Sequence, residues 1–144
     1  MADLLNTLEI DGRSMNVLND RIPKDDLNVY YANNTAVSVP NNTETSWDIW
    51  TAPETGLLIA SLSVTYAVNA TGFRALLAKR NGAEIGSAAK VATSPTSVTR
   101  LSIPVVCRVT EGQKLQMVAQ QTSGGALNVI GRFCNGIFIP DEPQ

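Results

Sequence analysis

Residues 56–66 read GLLIASLSVTY. From Leu58 onward apolar side chains occupy every second position (Leu58, Ala60, Leu62, Val64, Tyr66), with Ser61, Ser63 and Thr65 between the later ones. Successive side chains point to opposite faces of a strand, so this spacing puts one face on a core and the other toward water. The start of the stretch departs from that rule, because Leu57-Leu58-Ile59-Ala60 is apolar on both faces. Ile137-Phe138-Ile139, near the other end of the chain, is also apolar on both faces. Packing two sheets together covers only one face of each. Leaving Leu57, Ile59, and Phe138 or its two neighbours in water forfeits roughly 1.5–3 kcal/mol per side chain. Leu57, Ile59, Ile137, Phe138 and Ile139 are therefore the candidate interface between subunits. A loop or the N-terminal segment folded over them is the alternative.

Working outward, Phe73, Ala75 and Leu77 predict the core face of a next strand, which ends at the hairpin signal Asn81-Gly82. Leu101, Ile103, Val105, Cys107 and Val109 alternate without a break. Glu111-Gly112 turns the chain into a strand over Lys114–Gln121, and Ser123-Gly124-Gly125 turns it into another over Leu127–Phe133. A short last strand, Gly136–Ile139, stops at Pro140. No helical period appears after residue 22. Strands punctuated by turn signals predict an all-β sandwich or barrel.

The first 46 residues are polar. Asp11-Gly12 between two short alternating runs predicts a hairpin with Leu8, Ile10, Met15 and Val17 on one face. A second reading places Leu4, Leu8, Met15, Leu18 and Ile22 on the a and d positions of a short coiled coil. That register carries Asp11 in the seam and Gly12 inside the helix, where glycine costs about 1 kcal/mol, and the hairpin is preferred. Residues 20–46 read as extended loop with one short strand, Ala36–Val39.

Composition narrows the function. The chain has 144 residues, 44% hydrophobic and 17% charged, enough for one domain with a real core. Histidine is absent, which removes the commonest general base and metal ligand and every Ser-His-Asp or Cys-His arrangement. Carboxylates at Asp25, Asp26, Asp48, Glu54, Glu84 and Glu111 read as turn and loop residues with no aromatic sugar cleft beside them. No phosphate-cradling glycine loop is present. The expectation is a protein without catalysis, cofactor or metal. Cys107 and Cys134 lie in apolar runs and read as buried thiols, although a bridge between them stays open. No apolar run approaches the roughly 18 residues that span a bilayer, and the N-terminus lacks the pattern of a secretory signal. The net charge of −2 divides into −6 over residues 1–56 and +4 over the rest. The basic residues are scattered one per strand, which does not make a nucleic-acid footprint.

The stretch Val37–Ile139 resembles the jelly-roll heads of the complement first-component-q and tumour-necrosis-factor superfamily, in the versions carried by bacteriophage particles. The resemblance runs through several segments in order. VSVPNNTETSW is similar to the segment before the first long strand. WTAPETGLLIASLSVTY resembles the aromatic–Ala-Pro–Gly–strand signature in which the glycine, here Gly56, starts a strand at the trimer axis. GFRALLAKRNGAEI is similar to the strand bearing an arginine, here Arg74, that ends in an Asn-Gly hairpin. VTEGQKLQMVAQQTSGGALNV and NGIFI resemble the last strands. Gln113 replaces an acidic residue that follows the glycine in these heads, and Cys134 stands where an aromatic often precedes the final glycine.

The resemblance implies a homotrimeric jelly-roll head over residues 37–144. Residues 1–36 would be an N-terminal arm attaching it to other virion proteins, through Leu4, Leu8, Ile10, Met15 and Val17. The expected role is a capsid decoration or head-fibre subunit, made in the bacterial cytoplasm and displayed on the virion surface, with no nucleic-acid partner and no membrane insertion. The alternative is a tail-tip or baseplate adhesin for host-surface saccharide, with Tyr30, Tyr31, Trp47 and Trp50 stacking on sugar.

Overall fold

The computed structural model describes residues 28–92 and 94–141. The hairpin or coiled coil read over residues 4–22, with its attachment residues Leu4, Leu8, Ile10, Met15 and Val17, lies outside the described residues. The strands are β1 (Asn28–Asn33), β2 (Val37–Val39), β3 (Thr45–Thr51), β4 (Gly56–Tyr66), β5 (Phe73–Arg80), β6 (Ala83–Val91), β7 (Thr99–Val109), β8 (Lys114–Gln121) and β9 (Leu127–Pro140). They form two antiparallel sheets. The first has the order β1-β9-β4-β7, with β2 also paired to β9; the second has the order β3-β8-β5-β6. The all-β sandwich expected from the alternating runs is the fold observed.

β4 is the spine of the first sheet, and its alternation appears as read. Leu58, Ala60, Leu62, Val64 and Tyr66 are buried, and Leu101, Ile103, Val105 and Val109 of β7 join them, with Cys107 partly buried. The Asn81-Gly82 turn joins β5 to β6, with both residues at positive φ (47° and 84°), which a two-residue hairpin requires. Gln113 also closes a turn: its side-chain oxygen accepts the Thr110 N–H at 2.8 Å.

Four readings need correction. Residues 28–36 are not part of an arm. β1 pairs with β9 from Asn28↔Ile137 to Asn33↔Arg132, so the sandwich already includes residue 28. β9 is one strand of 14 residues rather than two, because Cys134, Asn135 and Gly136 keep their pairing with β4. Gly136 makes that continuity possible, since a Cβ there would lie 2.2 Å from the Ile59 carbonyl oxygen and 2.5 Å from the Ala60 Cα. In β5 the core face is Arg74, Leu76 and Ala78, not Phe73, Ala75 and Leu77. The misleading residue is Arg74, which is fully buried. Its guanidinium donates to the carbonyls of Asn69, Thr71 and Phe73 at 2.8–3.0 Å and lies over the Tyr66 ring. Finally, Asp48 and Glu84 lie in strands β3 and β6, not in loops.

Both cysteines are free. Cys107 pairs across from Leu58 and Cys134 from Leu62, on opposite sides of β4. Four residues of strand separate their rows by roughly 13 Å, beyond the reach of a disulfide.

Buried acids in this core make stability sensitive to alkali. Burial pushes the Tyr66 hydroxyl, which donates to the Ala75 carbonyl at 2.6 Å, up to about 12 from an ordinary 10.0. Burial likewise pushes the Cys134 thiol up to about 11 from 9.0. The folded chain therefore holds both protons at pH values where the unfolded chain has released them. Stability falls as pH rises through that window. Thermal melts followed by circular dichroism should show a Tm insensitive to these groups below pH about 8.5. The same melts should show a Tm that falls steadily from pH 9 toward 12. Tyr66→Phe should remove the upper part of that fall. It should also lower stability at neutral pH by about 1–3 kcal/mol, because the buried Ala75 carbonyl loses the hydroxyl that donates to it.

Candidate self-association surface

The two sheets turn very different outer faces to solvent. On the second sheet, Asp48, Lys79, Lys114 and Gln116 point outward. Lys79 pairs with Glu44 at 2.8 Å, Lys114 with Asp48 at 3.4 Å, and the Gln116 amide donates to Asp48 at 3.0 Å. The hydrogen bond from Gln116, more than the charge of Lys114, holds the Asp48 carboxyl below its ordinary range. Register puts Val118 in the row of Ser46 and Leu77, and the Lys79–Glu44 pair crosses that row, so the one fully buried residue of this face is roofed by polar neighbours. This is an ordinary solvated sheet face.

Among the described residues the first sheet has no such cover. Its outward side chains form cross-strand rows. From one end these are Ile139–Leu57–Arg108, Asn28–Ile137–Ile59–Val106, Tyr30–Asn135–Ser61–Pro104, Ala32–Phe133–Ser63–Ser102 and Gly131–Thr65–Arg100. The first two rows place Leu57, Ile59, Val106, Ile137 and Ile139 side by side. Six of the nine large apolar side chains exposed among the described residues lie on this one face: Tyr30, Ile59, Val106, Phe133, Ile137 and Ile139. Val106 is 68% exposed and Ile137 45%. Contiguous apolar surface of this kind marks an interaction site. At its end, Arg108 pairs with Asp141 at 2.6 Å, an exposed contact worth about 0–1 kcal/mol.

Of the residues named from sequence, Leu57, Ile59, Ile137 and Ile139 lie together on this face. Phe138 does not. It pairs with Leu58, points into the core at 1% exposure, and packs on Trp50 with ring centroids 5.4 Å apart. An Ile-Phe-Ile run shows that both faces are apolar but not which residue points which way; the partner strand decides. Sequence reading missed Val106, Pro104 and Phe133. Val106 was legible in the pair Val105-Val106 but was hidden by the unbroken alternation of the other face. Pro104 also puts a residue without an N–H in an edge strand of this sheet.

The four aromatic candidates do not form a cluster. Tyr31, Trp47 and Trp50 are half-buried against the core, with Arg132 stacked over the Trp47 ring at 4.6 Å. Tyr30 alone stands on the outer face, 69% exposed, edge to face with Phe133 at 5.7 Å.

No protein-family model matches the sequence, and a search of curated proteins finds no match. Solved structures do resemble the chain. The TNF named Eiger from S. frugiperda superposes with a TM-score of 0.60 at 13% identity, over 82% of this chain and 95% of that one. The fold is a jelly roll. Weaker likenesses are the PRD1 vertex protein P5 (TM-score 0.48, 18% identity, 80% of this chain and 96% of that one) and a CBM36-1 domain of a multidomain xylanase from the hindgut metagenome of Trinervitermes trinervoides (TM-score 0.45, 18% identity, 74% and 85%). At these identities the likeness speaks for the jelly roll alone, and only the first superposes well enough to do so. The jelly-roll expectation is met.

Proposed function

We propose that this chain is a non-enzymatic structural subunit that assembles with copies of itself, as a trimer displayed on a bacteriophage particle. One observation carries the reading: among the described residues, the outer face of one sheet carries ion pairs and polar side chains while that of the other is apolar across Leu57, Ile59, Val106, Ile137 and Ile139. An unpaired sheet face with that composition gains by packing on another copy, and oligomers of one chain close most simply by rotational symmetry. The sequence resemblance to phage-borne heads supports the three-fold order and the virion setting. The absence of histidine supports a role without catalysis. Attachment falls to residues 1–27, since residue 28 onward is already committed to the sandwich.

Sedimentation equilibrium at micromolar concentration tests the assembly. The expected mass is three times the 15.4 kDa chain, and a lone 15.4 kDa species would sink the proposal. Virion attachment is tested by co-sedimentation with intact particles, expected to be lost on deletion of residues 1–27 while the trimer persists.

A further inference from the structure

From the row of Tyr30 onward the first sheet's outer face changes character. An open depression of about 430 Å³ lies there, with Tyr30, Asn34, Ser63, Thr65, Arg100 and Phe133 in its lining. Its lining runs along β4 from the Tyr30–Ser61 row, next to the Ile59 row, to the Thr65 row, so the depression borders the apolar patch at its Tyr30 end and reaches roughly 20 Å from the Ile59 row at its Arg100 end. The volume falls in the range of small-molecule sites and suits one or two sugar rings.

We propose that this depression binds an acidic saccharide, a sugar ring carrying a carboxylate. Arg100 donates from Nε to the Thr65 hydroxyl at 3.2 Å, which orients the guanidinium and leaves its two terminal nitrogens as donors. Among the described residues no carboxylate pairs with Arg100 and none lines the depression. A planar fork of free N–H groups is the arrangement that takes a carboxylate through two parallel hydrogen bonds. The opposite wall is aromatic. The edge-to-face contact with Phe133 steadies the Tyr30 ring while most of it stays in solvent. A sugar's C–H face packs on such a ring. The Asn34 amide and Ser63 hydroxyl supply donors and acceptors for ring hydroxyls. A cation, an aromatic wall and neutral hydrogen-bonding groups in one depression match a ligand that is anionic at one edge, apolar on one face and polar at its rim. Inorganic phosphate uses only the first of these.

The inference does not rest on the self-association reading, although Tyr30 and Phe133 lie where the depression meets the apolar patch. The test is amide chemical-shift titration of the full chain with glucuronic acid, N-acetylneuraminic acid, glucose, acetate and inorganic phosphate. Saturable shifts confined to residues 30–34, 63–65, 99–101 and 131–133 are expected with at least one of the two acids, at millimolar concentration. Glucose, acetate and phosphate should bind at least about tenfold more weakly. Arg100→Gln should abolish the preference for acid over neutral sugar, and Tyr30→Ala should weaken binding several-fold. Both variants should keep the wild-type melt. Sedimentation of the same samples reports assembly separately, so failure of one proposal is distinguishable from failure of the other. No saturable shift with either acid, an equal response to acetate or phosphate, or undiminished binding by Arg100→Gln would each overturn the assignment.

Discussion

Ile137→Asp is expected to dissociate the proposed assembly while leaving the fold intact. Ile137 sits in the second outer row, between Asn28 and Ile59 and beside Val106 across β4, and its side chain points away from the sandwich core. A carboxylate at that point stays hydrated in the monomer and costs the isolated chain little. Buried against a second copy, it would need a partner, and the surrounding Leu57, Ile59, Val106 and Ile139 supply none. The desolvation cost is on the order of 4 kcal/mol, which weakens association about a thousandfold. Analytical ultracentrifugation should show the variant at 15.4 kDa where the wild type sediments at a multiple of that mass. Circular dichroism melts of the variant at low concentration check that the sandwich is intact. A variant that folds and keeps the wild-type mass would mean that this face is not the contact.

Its chain neighbour should behave in the opposite way. Phe138→Ala removes a ring that packs on Trp50 within the core, and replacing a buried Phe with Ala costs about 3–5 kcal/mol. The transition temperature should drop by roughly 10–20 °C for a domain of this size. Below that temperature the subunit mass should not change, because Phe138 contributes nothing to the outer face. Urea titration with tryptophan fluorescence provides the measurement, since Trp50 loses its ring partner and should report the change directly. A loss of assembly without a loss of stability in Phe138→Ala would reverse the assignment of faces. The pair of substitutions separates two roles that alternate residue by residue along one strand.

How far the sequence carried follows from where its alternation was clean. β4 and β7 are legible because one parity is apolar over nearly their whole length, and the doubly apolar ends of β4 and β9 point to the surface that is uncovered among the described residues. β5 was read out of phase because Arg74 occupies a core position. A guanidinium whose terminal nitrogens are held by the carbonyls of Asn69, Thr71 and Phe73 has no signature in a pattern of apolar and polar letters. β1 reads as loop in the sequence because Asn28 and Asn33 end, and Asn34 follows, a strand of six residues whose pairing partner lies about a hundred residues away. The depression around Arg100 was invisible for the same reason. Tyr30, Thr65, Arg100 and Phe133 come from four different strands, and only the register between those strands brings them together.

Pro104 bears on how far such an assembly can grow. An edge that lacks one of its donors is a poor template for a tenth strand, so additional chains are discouraged from zippering onto β7 by backbone pairing. Contact made through broad sides and closed by rotation saturates after a fixed number of members, whereas pairing along borders propagates into fibres. If copies of this chain meet through that broad apolar side, the sticky surface is consumed within a finite cluster, and Pro104 keeps the β7 border from recruiting more.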